Sequence, residues 1–281
     1  MTLSKQKTCS NTIAFVFLCL LSAIFLIPIL LVLLNSFKSR LYISSSPFAM
    51  PNSETFVGFE NYLNGLSSSG FFISFVRSVW VSIASVLVII VCTSMASWFI
   101  VRVKNKFTKA IYFLFAFSMI VPFQMVMYTI TFVVNRISFD NVFGIVFVYL
   151  GFGAGLSVFM FTGFVKAVPL EIEEAAEIDG CNPLQTFFLV VFPILKPTII
   201  TVSILNSMWV WNDYLLPYLI LGTDHKTVPV AIQIAMQGAY GATDYGGFMA
   251  MLVLAIIPIV IFYIASQKYI IKGVISGAVK G

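Results

Sequence analysis

Residues 169–193 read PLEIEEAAEIDGCNPLQTFFLVVFP, and their first half is an acidic stretch in an otherwise apolar chain. Pro169 suits the first turn of a helix, where its missing N–H leaves no hydrogen bond unmade, and Gly180 can take the left-handed conformation that ends a helix. Asn182 followed by Pro183 repeats the start signal, with a side-chain cap and a proline in the first turn. The stretch therefore predicts a short helical hairpin.

The composition of the whole chain indicates a membrane protein. Of its 281 residues 60% are hydrophobic and 10% are charged, and the mean hydropathy is +1.01. A soluble domain carries about a quarter of its residues as charges, so the 16 basic and 11 acidic side chains cannot cover a folded surface in water. One His and four Cys argue against a metalloenzyme, a haem protein and a disulfide scaffold, and we expect no metal site.

Six apolar segments are long enough to cross about 30 Å of hydrocarbon as helices, which takes roughly 20 residues each. None alternates with the period of a barrel strand, so all are predicted to be helical. They cover approximately residues 13–34, 78–101, 110–134, 142–168, 198–221 and 248–266.

The basic residues give these spans an orientation. With the N-terminus in the cytoplasm, 11 of the 16 Lys and Arg residues fall in inner segments, and the dense group from Arg102 to Lys109 marks the turn between the second and third spans. Both termini are therefore predicted to be cytoplasmic. Because the net charge of +5 follows this topology, the expected surroundings are a lipid bilayer and no nucleic acid.

Five of the eleven acidic residues lie within residues 171–179, in the predicted cytoplasmic hairpin. Ala175 and Ala176 offer a face with almost no side chain, and carboxylates such as Glu173 and Glu174 surround it. A small-residue face lets another protein approach closely, and flanking carboxylates can pair with its Arg or Lys side chains. A docking element fits this pattern. A solvated connector, whose acids keep it off the anionic membrane surface, fits it equally well.

Seven residues of the hairpin stand at a characteristic spacing, namely Glu174, Ala175, Ala176, Gly180, Val190, Phe192 and Pro193. This pattern resembles the EAA signature of importer permeases in the ATP-binding cassette superfamily. Val190 and Phe192 stand where the signature usually has Ile and Leu.

Residues outside the hairpin extend the likeness over nearly the full length. They are Asn61-Tyr62, Trp211-Asn212-Asp213-Tyr214 and the ending from Gln267 to Gly281. These segments resemble the carbohydrate-uptake branch of the superfamily, specifically the second permease of maltose-type and multiple-sugar importers. Arg77-Ser78 departs from the Asn-Ser that this branch commonly has at the start of the second span.

The resemblance implies the type I importer permease fold, an all-α membrane protein with six transmembrane helices in one domain over residues 1–281. The core spans would cover about 72–266, the coupling hairpin about 169–192 and the cytoplasmic tail about 267–281. The tail would reach the ATPase interface, although a basic end that only anchors the last span fits as well. The implied ATPase contacts are Glu173, Glu174, Ala175, Ala176, Asp179, Gly180 and Pro193 in the hairpin, with Lys272 and Lys280 in the tail.

The same resemblance implies a set of partners in the bacterial plasma membrane. They are a second, homologous permease that forms a heterodimer with this chain, two cytoplasmic ATPase subunits and an extracytoplasmic sugar-binding protein, which would touch the outer loop at 222–247. This chain has no Walker-type glycine loop, so ATP and Mg would be bound by the partners, and we expect this multi-pass subunit to bind no cofactor and to be no enzyme. The expected substrate is a sugar, specifically an oligosaccharide, and the alternative is another solute class.

Asp213 is the only carboxylate well inside a predicted span, so it should face the bundle interior or a water-filled cavity. Aromatic and amide side chains near it suit a sugar, because ring faces cover C–H patches and amides satisfy hydroxyls. Asp213 and Asn212 could instead join this span to a neighbouring helix or cap an unwound turn. The candidate pathway or gate residues are Gln124, Tyr128, Asn206, Trp211, Asn212, Asp213 and Tyr214.

Two other functional classes are less well supported. An intramembrane enzyme would need a Ser–His pair, paired Asp residues or a metal motif within the spans, but the single His225 lies in a loop and Asp213 stands alone. A self-sufficient carrier usually has internal repeats and more ionisable groups at mid-depth.

Overall fold

The computed structural model describes the backbone of residues 2–236 and 243–278 and the side chains of 12–236 and 243–269. Within these residues the chain is helical and forms no strand, and Lys38 and Phe56 form an isolated antiparallel bridge. The all-α prediction is therefore confirmed. The helices are α1 (Thr2–Asn35), α2 (Arg40–Ser45), α3 (Glu60–Ser69), α4 (Phe71–Arg102), α5 (Lys106–Ser118), α6 (Phe123–Arg136), α7 (Gly144–Val165), α8 (Leu170–Ile178), α9 (Pro183–Gln185), α10 (Phe192–Ile194), α11 (Lys196–Asn212), α12 (Leu215–Leu221), α13 (Val228–Ala235) and α14 (Tyr245–Ala278).

Four of the helices in the described residues are individually long and apolar enough to cross a membrane, over Thr12–Asn35, Phe71–Arg102, Gly144–Val165 and Tyr245–Tyr269. They coincide with the first, second, fourth and sixth predicted spans. The count reaches six when two bent helix pairs are each taken as one span.

One bent pair, α5 and α6, occupies the predicted third span and turns by 109° between its two halves. Pro122 precedes α6 and has no N–H to continue the hydrogen-bond ladder, and the residue before a proline disfavours helical geometry. In the other pair, the chain turns by 78° between Pro183–Ile194 and α11. The predicted fifth span is further divided, because α11 ends at Asn212 and α12 begins at Leu215.

The chain forms two compact units, of which the first contains residues 1–71 and 232–257. Asn61 donates two hydrogen bonds of 2.8 Å, to the carbonyls of Ser36 and Lys38, and the Tyr62 hydroxyl lies 2.7 Å from Ser36 Oγ. Lys38 is 1% exposed, and its ammonium donates to the Ser46 carbonyl at 3.0 Å. Burial lowers the pKa of Lys38. The Asn61-Tyr62 pair therefore holds the segment after α1 in place.

The second unit contains residues 72–231 and 258–281. Its core joins α4, α7, α11 and the residues that follow α9, through fully buried side chains such as Ile89, Phe161, Phe187 and Val202. These apolar side chains pack at the predicted cytoplasmic end of the bundle, where the hairpin meets the spans. The hairpin is thus attached to a packed helical body.

Glycines of α7 allow its neighbours to approach closely, and two of them form a matched test. A Cβ added at Gly153 would lie 2.7 Å from Ile89 Cδ1 and 2.8 Å from Asn206 Oδ1, whereas one at Gly151 would meet nothing within 4 Å. We expect Gly153→Ala to destabilise the fold by about 1–3 kcal/mol through overpacking. Gly151→Ala should be neutral or stabilising by up to about 1 kcal/mol. The melting temperatures of the two purified variants measure the difference, and equal values would contradict this packing.

Candidate functional site

The first leg of the hairpin is α8, which ends in a hydrogen-bonded turn at Gly180. The amide of Gly180 donates to the Glu177 carbonyl at 3.0 Å, and that of Cys181 donates to the Ala176 carbonyl at 3.0 Å. This pair of bonds is the Schellman arrangement, which requires a left-handed residue, and Gly180 has φ of +88°. The predicted start at Pro169 and end at Gly180 are confirmed.

The second leg begins at Asn182, as predicted. The Asn182 side chain accepts from the Gln185 amide at 3.0 Å, and Gln185 Oε1 accepts from the Asn182 amide at 2.9 Å, which forms a capping box. The leg continues as a π-helical turn over Thr186–Val191 and ends with α10. The structure thus replaces the predicted regular second helix with a composite one.

One face of α8 is open and the other is packed. Ile178 is 86% exposed at the tip, whereas Glu173 and Ala176 are 4% and 8% exposed. The small-residue face expected from Ala175 and Ala176 is therefore reduced to Ala175, because Ala176 packs inward. The exposed face, called here the hairpin face, consists of Glu174, Ala175, Glu177, Ile178, Asp179 and Gly180. Pro193, on α10, is exposed as well.

Glu173 does not belong to the hairpin face, and this corrects the expectation that it is a surface charge. Arg102 Nε lies 3.0 and 3.1 Å from the two carboxylate oxygens of Glu173, and Arg102 Nη2 lies 2.5 Å from Oε1. Trp98 Nε1 donates to Glu173 Oε2 at 2.9 Å. The carboxylate turns inward because two donors at the end of α4 satisfy it. We call Trp98, Arg102 and Glu173 the clamp.

The clamp fixes both legs of the hairpin to α4. Arg102 Nη2 also donates to the Val168 carbonyl at 3.0 Å, just before α8 begins. The Trp98 ring lies 5.5 Å from the ring of Phe187, in the second leg. Sequence reasoning missed Trp98 and used Arg102 only as a topology marker, since 71 residues separate Arg102 from its partner Glu173.

A cavity of about 350 Å³ lies within the second unit, between α4, α11 and the part of α14 from residue 258. Trp211 lines it and packs edge-on against Phe75, with ring centroids 5.8 Å apart. The Ser82, Ser203 and Ser207 side chains supply hydroxyls to an otherwise apolar wall. Of the predicted pathway residues, only Trp211 lines this cavity.

Asn206 contributes to helix packing. It is 4% exposed, and its Nδ2 donates to Ser157 Oγ at 3.2 Å and to the Val202 carbonyl at 2.9 Å. This position joins α11 to α7 as a packing contact, and a pathway role for Asn206 stays a prediction.

Four other predicted pathway residues are exposed to the surroundings of the chain. Asn212 donates to the Met208 carbonyl at 2.6 Å, one turn earlier in its own helix. Tyr214 stacks on Tyr218 with ring centroids 5.3 Å apart. Gln124 and Tyr128 lie on the exposed surface of α6. A pathway role for these residues stays a prediction.

Asp213 has partners that explain why α11 stops beside it. Its Oδ1 accepts from the amides of Leu215 and Leu216, at 3.1 and 3.4 Å, and so caps α12. Its Oδ2 accepts from the Tyr149 hydroxyl at 3.1 Å, which connects the helix break to α7. The structural interpretation of Asp213 offered a contact to a neighbouring helix or a cap as alternatives, and the structure contains both.

We expect Asp213→Ala to lower solute uptake several-fold while the ATPase still co-purifies, because the variant loosens a helix break at the end of α11 that is remote from the hairpin. The lost cap alone costs about 1 kcal/mol. Uptake and ATPase recovery from the same membrane preparation measure the two effects. Unchanged uptake in Asp213→Ala would remove Asp213 from the transport mechanism.

Arg77, the departure noted in the sequence, connects α4 to the segment before α13. Its Nη1 donates to the Lys226 carbonyl at 2.8 Å, and the adjacent Ser78 Oγ accepts from the Val228 amide at 2.8 Å. Residues 237–242 of the predicted outer loop lie outside the described residues, as does Lys280. Lys272 lies in α14, and its side chain is outside the described residues.

Residues 89–276 match the family model described as the binding-protein-dependent transport system inner membrane component. The chain belongs to this family. It is a transport permease and not an enzyme, and it resides in the inner membrane, as the sequence analysis predicted.

Named relatives agree with this family. The permease is 35% identical to the probable starch degradation products transport system permease of Thermoanaerobacterium thermosulfurigenes, with 92% of this chain and 93% of the relative covered. It is 36% identical to the multiple sugar-binding transport system permease of Streptococcus mutans, covering 91% and 92%. The melibiose/raffinose/stachyose import permease of Bacillus subtilis is 32% identical, with 91% of each chain covered.

A solved structure supports the fold. The permease superposes with a TM-score of 0.76 on a chain from the crystal structure of a bacterial ABC transporter involved in import of the acidic polysaccharide alginate. The match covers 94% of this chain and 97% of that one, at 20% sequence identity. The importer permease fold is therefore confirmed, and the single domain over 1–281 stays a prediction.

Proposed function

We propose that this permease is one membrane subunit of an ATP-driven oligosaccharide importer. It pairs with a homologous permease, and two cytoplasmic ATPase subunits bind ATP and Mg. An extracytoplasmic binding protein delivers the sugar. The hairpin face seats in the ATPase, and the tail at 267–281, with Lys272 and Lys280, reaches the same interface.

The observation that carries the proposal is the contrast between the two sides of the hairpin. The hairpin face is open, with Ile178 86% exposed, while the clamp fixes the opposite side to α4. An element that only connected two spans would need neither an exposed apolar tip nor a buried ion pair. Closure of the ATPases would therefore move α8 and the end of α4 together, as one rigid body, and shift the bundle between inward-open and outward-open states.

The sugar assignment rests on the relatives, whose names refer to starch degradation products, multiple sugars, and melibiose, raffinose and stachyose. Trp211 and the serine hydroxyls at the cavity provide chemistry that suits a sugar, since an aromatic face covers C–H groups and hydroxyls exchange hydrogen bonds. A different solute is the second candidate, because a 26% identical relative in Synechocystis is named an osmoprotective compounds uptake permease.

The test is uptake by the complete importer in proteoliposomes loaded with ATP. Radiolabelled raffinose and maltotriose are offered with the binding protein, and a non-sugar osmoprotectant such as glycine betaine is offered in parallel. ATP-dependent accumulation of an oligosaccharide supports the proposal. If the osmoprotectant accumulates and neither sugar does, the substrate is an osmoprotectant and the oligosaccharide assignment is wrong. If no solute accumulates in an ATP-dependent way, the proposal as a whole is contradicted.

A further inference from the structure

A second cavity, of about 450 Å³, opens at the predicted cytoplasmic end of the second unit. It lies between the end of α4, the first turns of α5 and the end of α7. Four cations line it, namely Arg102, Lys104, Lys109 and Lys166. We call it the basic cavity.

The positive charge of the basic cavity is largely uncompensated. The clamp pairs Arg102 with Glu173, and this is the single ion pair among the described side chains, so three lysines line the cavity without a carboxylate partner. The Lys166 ammonium lies over the Tyr112 ring, 5.9 Å from its centroid. Three cations held around one concave surface attract an anion.

A buried hydroxyl in the same wall also lacks a partner. Thr162 is 2% exposed and lines the cavity, yet its Oγ1 bonds to no group in the described part of the chain. A threonine in a helix ordinarily donates to the carbonyl four residues earlier, but here the Val158 carbonyl accepts from Ser97 Oγ at 3.2 Å. A buried hydroxyl without a partner is costly, so rotation of the Thr162 side chain toward a ligand oxygen in the cavity would be favoured.

The cavity is apolar on its other side. Ile100, Val101 and Phe113 belong to its lining, and Phe113 is 71% exposed. The apolar surface continues along α5 through Leu114 and Phe117, which are 69% and 62% exposed. The cavity has a cationic end that leads into an apolar groove at the membrane boundary. This arrangement matches a phospholipid, whose phosphate would lie at the cationic end and whose acyl chains would lie in the groove.

We propose that the basic cavity binds the phosphate headgroup of an anionic phospholipid from the cytoplasmic leaflet. Lys104, Lys109 and Lys166 hold the phosphate, and Thr162 rotates its buried hydroxyl toward the cavity and donates a hydrogen bond to one of the phosphate oxygens. The acyl chains lie on the apolar face of α5. Anionic lipids are enriched at the cytoplasmic surface, where the positive residues of this permease are predicted to lie.

The test is native mass spectrometry of the purified, delipidated importer, titrated with phosphatidylglycerol or with phosphatidylcholine of the same chain length. We expect phosphatidylglycerol to bind at least tenfold more tightly. Lys104→Gln/Lys109→Gln/Lys166→Gln should weaken its binding at least thirtyfold. The control Lys106→Gln/Lys196→Gln/Lys268→Gln removes the same charge outside the cavity and should bind like the parent chain.

A second variant with a single substitution tests the same site in case the triple variant misfolds. Thr162→Val keeps the side-chain shape and should weaken phosphatidylglycerol three- to tenfold, with the melting temperature of the lipid-free importer unchanged or raised. Equal binding by both triple variants, or no effect of Thr162→Val, would overturn the proposal. Inorganic phosphate and glycerol phosphate are added as competitors, and displacement of the lipid by either one at the lipid's own concentration would overturn the lipid assignment.

Discussion

Replacing Glu173 by alanine is expected to destabilise the permease by about 3 kcal/mol and to lower ATP-driven uptake at least tenfold. The substitution leaves the Arg102 guanidinium and the Trp98 N–H without the carboxylate that both now contact at 2.5–3.1 Å. Removing one member of a buried ion pair lowers the free energy of unfolding by more than the intact pair contributes to it, because the remaining charge stays desolvated. Since Arg102 is 20% exposed, we expect a cost at the lower end of the usual range.

The control for this prediction is the next residue in the sequence. Glu174→Ala removes an exposed carboxylate from the same helix and should leave the melting temperature of the importer within about 1 °C, because exposed pairs contribute little. Combining Glu173→Arg with Arg102→Glu restores opposite charges and should recover part of the stability. A melting temperature for Glu173→Ala equal to that of Glu174→Ala would show that the clamp does not hold the hairpin.

Replacing Gly180 by valine is expected to reduce uptake at least tenfold at an unchanged level of membrane insertion. Gly180 has φ of +88°, and an added Cβ would meet nothing within 4 Å, so the cost is confined to the backbone. Left-handed geometry costs an L-residue roughly 1–2 kcal/mol, and a β-branched residue the most. The turn between the two legs then opens, and the hairpin face loses its shape.

Two variants separate backbone strain from other effects. Asparagine tolerates left-handed geometry, so Gly180→Asn should retain most of the uptake that Gly180→Val loses. Gly163→Ala, in α7, also adds a Cβ to open space, but at a helical φ, and should be silent. Uptake by Gly180→Val that equals uptake by Gly180→Asn would show that the left-handed turn is not needed.

Hydropathy predicted the span positions well and their continuity poorly. The segments at 78–101 and 142–168 correspond to α4 and α7, because an unbroken apolar run leaves the chain no alternative to helix in lipid. The bend before α6 had a local signal in Pro122. The break at Asp213 depends on the Tyr149 hydroxyl, which approaches from another helix and leaves no trace in a hydropathy window.

The hairpin was predictable in outline and not in orientation. Start and stop signals at Pro169, Gly180 and Asn182 are local, so the sequence contains them. The inward direction of Glu173 depends on Arg102, and sequence spacing cannot distinguish a carboxylate that pairs across helices from one that faces solvent. One available signal was the spacing of Glu173 and Ala176, which share a helical face opposite Ile178.

The most direct test of the central claim is a photo-reactive amino acid placed at Ile178, the 86% exposed tip of the hairpin face, in the complete importer. The matched control is the same amino acid at Leu63 on α3, which is 67% exposed. We predict a covalent adduct between the permease and the ATPase subunit from position 178, with none from position 63. Absence of the ATPase adduct at 178, or equal adducts at both positions, would contradict the assignment of this hairpin as the coupling element.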